Sequence, residues 1–513
     1  MRPVVDILAV GPMIAVAVGA LLLPLGEVLM ARKRTFLSKP LTRERRGTFL
    51  AVASLLCLVI SLIVSFNGFA GPTRVFNAGN PMIVMDQVSH FLNIVVLIGA
   101  ALTVLISVKY LADVHINHGE YYALIMSSVL GMMFLTSATD LLLLFLALEL
   151  MSIPLYVLAG FRRTSLRSNE SALKYFLIGS FASGILLYGM ALLYGATGSI
   201  SLAEIGSRFD PENALDLLGA ALVIVGLAFK ISSVPFHQWA PDVYEGAPTT
   251  VTGFMATTVK VAAFGALLRV LALALAPASD LLYGALWLMA ILSMTVGNVM
   301  ALIQQNIKRM LAYSSIAHAG YLLVGVIVGT LDGYAAVLFY LLVYTFMTLG
   351  AFTVVAILAK GGEDRDRIDD LAGLGLTRPL MAVVMTLCMF ALAGIPPTAG
   401  FMGKFHLFRS AIELGTQTGD SSLFWLVILG VLNSAISLAY YLRVPLVMYF
   451  REPAPASTPD LPGFFERVVL VTCLAAVVLL GLVPQDVFLI FRDLDVLSQA
   501  AASAQHLLPS ALP

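Results

Sequence analysis

Runs of apolar residues recur from one end of the chain to the other, separated by short polar segments. Many of these runs reach roughly 18 residues or more, the length that an α-helix needs to cross the hydrocarbon core of a bilayer. No water is available there, so each crossing segment must satisfy its own backbone hydrogen bonds, which favours helices. The alternation typical of membrane β-strands is not seen. The pattern therefore predicts an all-α membrane protein.

We count fourteen transmembrane helices in this pattern. The 120–160 stretch is read as two helices because the polar segment at 136–140 indicates a turn. The 380–413 stretch is too long for one straight span and contains the helix-breaking sequence Gly394-Ile-Pro-Pro397. The predicted spans lie at about residues 7–30, 48–67, 84–107, 120–138, 139–160, 171–195, 216–237, 247–275, 281–303, 309–328, 334–359, 380–413, 423–450 and 466–489.

Composition narrows the class of protein. The 513 residues are 59% hydrophobic and only 12% charged. The net charge is zero, so the chain lacks the excess of basic residues that is typical of nucleic-acid-binding proteins. Cys57, Cys388 and Cys473 lie far apart in apolar segments and form no C-x-x-C pair. A metal site, an iron–sulfur cluster and a disulfide framework are therefore disfavoured, and the cysteines are expected to be packing residues.

The positions of lysine and arginine predict the orientation of the helices. Seven of these residues lie in the loop at 31–47, and the loops on that side of the membrane hold most of the chain's 30. We take that side as cytoplasmic, which places both termini on the opposite side. The apolar stretch after Arg2 has no small-residue cleavage site, so it is expected to be the first helix rather than a removable signal peptide.

Five ionisable residues interrupt the apolar spans, namely Glu149, Lys174, Lys230, Lys260 and Lys404. Each costs roughly 2.5–3.5 kcal/mol at the centre of a membrane helix on insertion scales. Burial also disfavours the charged form of a lysine, so such a group exchanges its proton more readily than one in water. We therefore expect these residues to transfer protons.

The order of charges and helix breaks suggests an internal repeat. Lys230 comes before the break expected at Pro235, whereas Lys404 follows the break at Gly394–Pro397. Opposite order around two breaks, five helices apart, is typical of inverted repeats. We predict two inverted five-helix repeats, helices 4–8 and 9–13, each with one broken helix. The corresponding parts of the chain are three N-terminal helices at 1–119, the repeats at 120–275 and 281–450, and a C-terminal helix and tail at 451–513.

Structural roles are the alternatives for several of these residues. A structural ion pair is the alternative role for Glu149. Lys174 lies near its helix end and could extend to the surface, or it could pair with Glu149. His237 is either a proton relay or an interfacial side chain, and His318 is either a relay or a packing residue. Both histidines are kept as secondary relay candidates.

Several long stretches are similar to a known family. They are Leu148–Tyr156, Ala172–Phe176, Phe229–Thr250, Lys308–His318 and Gly394–Phe405. Over roughly residues 80–450 the chain resembles the antiporter-like membrane subunits of respiratory complex I. The resemblance implies fourteen helices, two inverted repeats and one proton channel. It also implies that Glu149 and Lys174, on the fifth and sixth helices, work with Lys230, Lys260 and Lys404 in proton transfer.

The resemblance further implies a place in a larger enzyme of the bacterial inner membrane. Partner subunits would oxidise NADH and reduce quinone with FMN and iron–sulfur clusters, while this chain would bind no cofactor and no metal. Expected partners are other antiporter-like subunits of the M and L types, small membrane subunits and the peripheral arm.

The residues and the resemblance together give a hypothesis for proton movement. Protons enter from the cytoplasm near Lys230 and His237, cross through Lys260 and His318, and leave by Lys404. Pairing of Glu149 with Lys174 would act as the switch. The alternatives are a subunit of a multi-subunit cation/proton antiporter, a subunit of a proton-pumping membrane-bound hydrogenase, and a scaffold with structural charges.

Overall fold

The computed structural model is almost entirely helical, and it describes residues 5–31, 43–77, 79, 81–359, 364–452 and 460–492. The first eleven helices are α1 (Gly11–Ala31), α2 (Arg43–Phe69), α3 (Gln87–Asp113), α4 (Glu120–Ser137), α5 (Leu141–Ala159), α6 (Leu166–Thr197), α7 (Leu202–Arg208), α8 (Ala214–Ile231), α9 (Trp239–Gly246), α10 (Thr249–Phe254) and α11 (Lys260–Leu273). The remaining nine are α12 (Ser279–Leu302), α13 (Ile307–Val328), α14 (Leu331–Ile357), α15 (Leu374–Thr377), α16 (Pro379–Ala393), α17 (Ala399–Thr418), α18 (Ser421–Phe450), α19 (Phe464–Leu482) and α20 (Pro484–Arg492).

Short elements connect these helices. Three-residue or four-residue 3₁₀ turns lie at Ile7–Val10, Ala276–Ala278 and Ile368–Leu371, and a π-helical turn at Met255–Val259 joins α10 to α11. Strands β1 (Arg74–Val75) and β2 (Val84–Met85) form a two-stranded antiparallel ribbon between α2 and α3. Apart from these short elements, the described residues form a bundle of α-helices.

The predicted spans match the observed helices closely. Among the described residues, 12 segments are long and apolar enough to cross a membrane. Helix α4 and the split pair α16–α17 occupy the other two predicted spans. The turn expected near 136–140 is present, since α4 ends at Ser137 and α5 begins after Asp140, whose carboxylate accepts the Leu143 N–H at 2.7 Å and so caps the helix.

The first predicted helix break lies where expected, one turn before Pro235. Helix α8 ends at Ile231, and Ser232 takes a left-handed conformation with φ of 59°. The carbonyl groups that the break frees still find donors, because the Trp239 indole N–H bonds the Phe229 carbonyl at 3.2 Å. The chain then turns into the short helix α9.

The second break separates α16 from α17. Helix α16 ends at Ala393, and Gly394 follows with φ of +85°, a conformation that favours glycine. Helix α17 then passes so close to α16 that a Cβ on Gly400 would lie 1.8 Å from the Ala391 carbonyl oxygen. The glycines and prolines of this segment therefore shape the break that their sequence predicts.

Helices α13 and α14 form the centre of the molecule. They are buried along nearly their whole lengths, and α14 packs against α16, α17 and α19. Helices α1, α2 and α19 are buried on one side only and expose large apolar side chains such as Leu21 and Leu56 on the other. In a membrane-spanning chain these outer faces meet lipid or neighbouring subunits.

Two sequence expectations fall partly outside the described residues. The charged loop at 31–47 carries Arg32, Lys33, Arg34 and Lys39, and these residues are not among those described. The same holds for the tail beyond Arg492. The orientation of the termini and the division of the chain at 119, 275 and 450 stay predictions.

Candidate functional site

Lys230 lies in the last turn of α8, immediately before the helix break. Its side chain is 4% exposed, and its ammonium group donates to the Ser152 hydroxyl on α5 at 2.8 Å. The Tyr156 ring lies beside it, with its centroid 5.7 Å from Nζ. The partial negative charge at the end of α8 favours a cation at this position. The contacts of Lys230 are thus neutral hydroxyl and aromatic groups.

Glu149 lies on α5, one turn before Ser152. It is half-buried, and its Oε1 accepts a hydrogen bond of 2.5 Å from the Ser183 hydroxyl on α6. The hydroxyl of Tyr156 lies against Gly179, one turn from Ser183 along α6. Serine and tyrosine hydroxyls therefore occupy the space between Glu149 and Lys230.

Lys174 is placed differently from the sequence hypothesis. Its side chain is 40% exposed, and its ammonium group lies 2.7 Å from both Glu170 and Asp242 rather than next to Glu149. Asp242 also accepts a hydrogen bond of 2.6 Å from Arg309 on α13. These charges line a polar cavity of about 200 Å³. In this structure the pairing of Lys174 with Glu149 is replaced by a pairing with Asp242.

The electrostatics of Asp242 follow from these contacts. Burial alone would raise the pKa of the Asp242 carboxyl, but hydrogen bonds from Lys174 and Arg309 lower that pKa below its ordinary value. Asp242 is therefore a carboxylate at neutral pH. The sequence hypothesis assigned it no role, although it stands in the longest stretch of resemblance.

Lys260 is the first residue after the π-helical turn of the α10–α11 span. It is 2% exposed, and its ammonium group donates to the Ser315 hydroxyl at 2.6 Å and also to the Ser315 carbonyl on α13. The Tyr344 ring centroid lies 5.2 Å away. Single π-helical turns inside α-helices occur often at functional sites, where they re-aim a side chain.

His318 lies one turn along α13 from Ser315 and is 1% exposed. Its Nδ1 lies 2.6 Å from the Tyr340 hydroxyl on α14, and its Nε2 lies 3.0 Å from the Tyr441 hydroxyl on α18. Both ring nitrogens thus have hydroxyl partners that either donate or accept. The relay role of His318 between Lys260 and Lys404 stays a prediction.

Lys404 binds the end of the broken helix. Its ammonium group donates to the carbonyl groups of Leu392 and Ala393 at 3.1 Å each, and to the Ser434 hydroxyl at 2.9 Å. The Tyr321 ring centroid lies 4.5 Å away. A lysine that caps the carbonyl end of a helix gains from its dipole. An apolar groove of about 720 Å³ between α17 and α18 reaches this side chain.

His237 lies in the segment between α8 and α9. It is half-buried, and its Nδ1 is buried without a hydrogen-bond partner among the described residues. The structure brings it to the side of Lys230 where the helix is broken, but no hydrogen bond joins these two described side chains. Its relay role stays a prediction.

Two further sets of charged groups were missed by the sequence reasoning. Lys308 lies just before the predicted span at 309–328, yet it is 1% exposed and donates to the Ala247 carbonyl at 2.8 Å. Arg269 and Asp86 lie near the ends of their spans, yet they form a buried ion pair of 2.8 Å. Burial of these groups could not be predicted from their positions near span ends, because their partners come from distant segments of the chain.

Comparison with known proteins identifies the family. A family model for the membrane segments of NADH:quinone oxidoreductases and Mrp antiporters matches residues 138–437. The NADH-quinone oxidoreductase subunit N of Trichlorobacter lovleyi is 50% identical over 411 residues, 79% of this chain and 82% of that protein. The chain belongs to the subunit N family. A subunit N from Sorangium cellulosum, 44% identical over 92% of this chain and 95% of its own, shows that the likeness spans almost the whole sequence.

The chain is also similar to solved structures over nearly its whole length. A chain of respiratory complex I from Thermus thermophilus, determined with bound aureothin, matches with a TM-score of 0.77 and 37% identity. The match covers 93% of this chain and 98% of that one. A chain of the Mrp complex from Dietzia matches with a TM-score of 0.80 over 99% of this chain and 98% of its own, but at 22% identity it shows the fold alone.

Proposed function

We propose that this chain is the proton-translocating, antiporter-like membrane subunit of an NADH-quinone oxidoreductase. Membership in the subunit N family and the row of buried basic side chains support this function. NADH oxidation and quinone reduction take place in partner subunits, and this chain transfers protons across the membrane. It carries out no redox step itself.

The observation that carries the proposal is the nature of the partners of Lys230, Lys260 and Lys404. Each ammonium group is buried and bonded to a serine hydroxyl, and among the described residues none of the three has a carboxylate within ion-pair distance. A buried charge kept for structure is normally paired with an opposite charge, as Arg269 is with Asp86. Hydroxyl and carbonyl acceptors hold a neutral amine as well as an ammonium group, so these lysines are free to lose and regain protons.

The proposed route follows the positions of these residues. A proton enters near Lys230 and His237, crosses through Lys260 and His318, and leaves by Lys404. Glu149 and Lys174 set the charge that Lys230 experiences, since a cation moved toward Glu149 reduces the attraction of that carboxylate for Lys230. Quinone reduction elsewhere in the enzyme drives the movement.

The proposal includes the setting of the chain. FMN, iron–sulfur clusters, NADH and quinone are bound by partner subunits, and antiporter-like subunits of the M and L types, small membrane subunits and the peripheral arm complete the assembly. The membrane is the bacterial inner membrane, and both termini face the periplasm. The four-part division of the chain given by the sequence is part of the same proposal.

The test uses Glu149→Ala and Lys230→Ala in the native complex, assayed in membrane vesicles for NADH oxidation and for proton pumping. Both variants are expected to lose most pumping, and coupled electron transfer is expected to slow with it. Arg208→Ala is the control, because Arg208 is 50% exposed, and its partners are Glu204 one turn away on α7 and the Thr197 carbonyl at the end of α6. Normal electron transfer and normal pumping in both variants would contradict the proposal.

The rival function is cation/proton antiport, since the Mrp chain shares the fold over nearly the whole length. That function predicts proton flux that depends on sodium or potassium and needs no quinone. Measurement of cation-dependent flux in vesicles with the quinone site inhibited separates the two. Identities of 40–50% to subunit N proteins favour the oxidoreductase.

A further inference from the structure

Four side chains from three helices form an unbroken hydrogen-bonded row at the centre of the fold. Ser314 bonds the Tyr441 hydroxyl, Tyr441 bonds His318 Nε2 at 3.0 Å, and His318 Nδ1 bonds the Tyr340 hydroxyl at 2.6 Å. All four are buried. Tyr441 is the only member from α18, and its hydroxyl joins Ser314 to His318, which lie one turn apart on α13. We call these four residues the hydroxyl–imidazole row.

We propose that the hydroxyl–imidazole row is a proton wire between Lys260 and Lys404, and that Tyr441 and Tyr340 are relay residues of this chain in their own right. The inference rests on the proposed function and names new members of the same route. The row consists only of hydroxyls and one imidazole, and each of these groups both donates and accepts a hydrogen bond. Such a row has two equivalent directions of donation, which is the requirement for passing a proton along it.

Residues next in sequence connect each end of the row with one of the two lysines. Ser314 precedes Ser315, the residue that binds the Lys260 ammonium group. Tyr340 packs against Gly403, which precedes Lys404, so closely that a Cβ on Gly403 would lie 2.1 Å from the tyrosine ring. Neither lysine bonds the row directly. The proposal therefore places one or more water molecules in each gap, since water commonly bridges polar groups that do not bond directly.

The transfer step balances without any oxidant or added group. A proton from water forms an O–H bond on Ser314, while the Ser314 proton passes to Tyr441 and the Tyr441 proton passes to His318 Nε2. The Nδ1 proton then passes to Tyr340, whose own proton leaves to water at the far end. One proton enters and one leaves, every side chain ends neutral, and the imidazole has exchanged its Nδ1–H for an Nε2–H. Rotation of the hydroxyls and exchange of the ring proton with water reset the row.

The backbone near Tyr441 also suits a hydrated path. Pro445 lies inside α18, four residues after Tyr441. Proline has no N–H, so the Tyr441 carbonyl lacks the hydrogen bond that a residue at position 445 would otherwise donate. A carbonyl freed in this way inside a membrane is tolerated where water or another donor satisfies it. Water at this carbonyl would lie at the base of the Tyr441 side chain.

The test is Tyr441→Phe in the intact complex, with Tyr334→Phe as the matched control. Tyr334 is also buried in the bundle, on α14, and its hydroxyl takes no part in the row. Tyr441→Phe removes one hydroxyl and keeps the ring. Proton pumping coupled to NADH oxidation is expected to fall about tenfold or more, by analogy with the loss of other proton-transfer groups. Tyr334→Phe is expected to pump normally.

A second measurement distinguishes a relay from a packing role. Transfer through the row moves several protons together, so the solvent deuterium isotope effect on pumping is expected to change in Tyr441→Phe and to stay unchanged in Tyr334→Phe. Ser314→Ala and Tyr340→Phe interrupt the row at other points and are expected to reproduce the loss if Tyr441→Phe fails to assemble. Equal losses in Tyr334→Phe and Tyr441→Phe, or normal pumping in Tyr441→Phe, would overturn the wire.

Lys260→Ala separates this inference from the proposed function. If Lys260→Ala abolishes pumping while Tyr441→Phe pumps normally, the lysine route stands and the hydroxyl–imidazole row is wrong. If Lys260→Ala also pumps normally, the proposed function itself fails.

Discussion

The ammonium group of Lys174 lies 2.7 Å from the Asp242 carboxylate, and the same carboxylate lies 2.6 Å from the guanidinium of Arg309. Asp242 thereby joins α6, the short helix α9 and α13 at one mouth of the bundle. The sequence hypothesis gave Lys174 a different partner, Glu149. For Lys174 to move toward Glu149, it must first leave Asp242, so Asp242 competes with Glu149 for the same cation.

Asp242→Asn tests this competition. The substitution keeps the shape of the side chain and removes its charge, which weakens the hold on Lys174 and favours its movement toward Glu149. An exposed charge pair contributes up to about 1 kcal/mol, which corresponds to roughly a fivefold change in an equilibrium. We therefore expect coupled proton pumping to fall roughly fivefold. Asp369→Asn is the control, because it removes an exposed carboxylate that pairs with Arg451 in another part of the fold. Unchanged pumping in Asp242→Asn would show that this contact does not restrain Lys174.

The pH dependence of this contact has a definite sign. Hydrogen bonds from Lys174 and Arg309 lower the pKa of Asp242 below its ordinary value, against the opposing effect of burial. A lowered acid pKa gives stability that is present above the unfolded value, about 3.9, and is lost as the pH falls through the folded value. Asp242 therefore stays charged from neutral pH down to about 4. We expect the pumping rates of wild type and Asp242→Asn to differ by a constant factor from pH 6 to 8, and a ratio that changes with pH would contradict this.

The helix breaks and the buried lysines could be predicted because their signals are local. Pro235 lies five residues after Lys230, and the sequence Gly394-Ile-Pro-Pro397 shortly precedes Lys404, so one short window contains both the charge and the break. The apolar spans on either side are equally local. Proline lacks a backbone N–H, which determines where the helix ends. The free energy of transfer from water into lipid determines how much the buried charge costs.

The partners of these groups could not be predicted, because packing brings them together from distant segments. The Ser315 hydroxyl that binds Lys260 is 55 residues away in sequence, and the Tyr441 hydroxyl that bonds His318 is 123 residues away. Serine and tyrosine are also common inside membrane helices for packing alone. Asp242 stood in a recognised stretch, but only the fold shows that Lys174 and Arg309 converge on it.

Lys404→Met separates the cost of the buried charge from its use. Methionine fills a similar volume without an ammonium group, so the desolvation penalty of the lysine disappears together with its bonds to neutral acceptors. We expect the thermal stability of the purified complex to be unchanged or slightly raised, while proton pumping is lost. Measurement of the melting temperature and of pumping on one preparation checks both. A large loss of stability would show instead that Lys404 is mainly a cap for α16.

Asp86→Asn is expected to have the opposite effect on stability. Asp86 is 1% exposed and forms an ion pair of 2.8 Å with Arg269. It also caps α3, because its carboxylate accepts a hydrogen bond of 2.7 Å from the Ser89 N–H. Removal of the carboxylate charge leaves Arg269 buried without a counter-ion, which costs about 3–5 kcal/mol in comparable pairs. We expect less assembled complex and a lower melting temperature. The double variant Asp86→Asn with Arg269→Met removes both charges and should recover part of the loss.

Gly246→Ala examines how closely α9 must approach α6 for the Lys174–Asp242 contact to form. A Cβ at Gly246 would lie 2.0 Å from the Ser171 hydroxyl and 2.5 Å from the Arg167 carbonyl, and the second of these is backbone that cannot rotate away. Helix α9 must therefore shift outward, at a cost of roughly 1–3 kcal/mol, and Asp242 moves with it. Gly184→Ala is the matched control. It also replaces a glycine by alanine within a helix, α6, but a Cβ at this position meets nothing within 4 Å. We expect Gly246→Ala to reduce pumping as Asp242→Asn does, and Gly184→Ala to leave pumping unchanged. Equal pumping in the two glycine variants would mean that the position of α9, and hence the hold of Asp242 on Lys174, does not limit proton transfer.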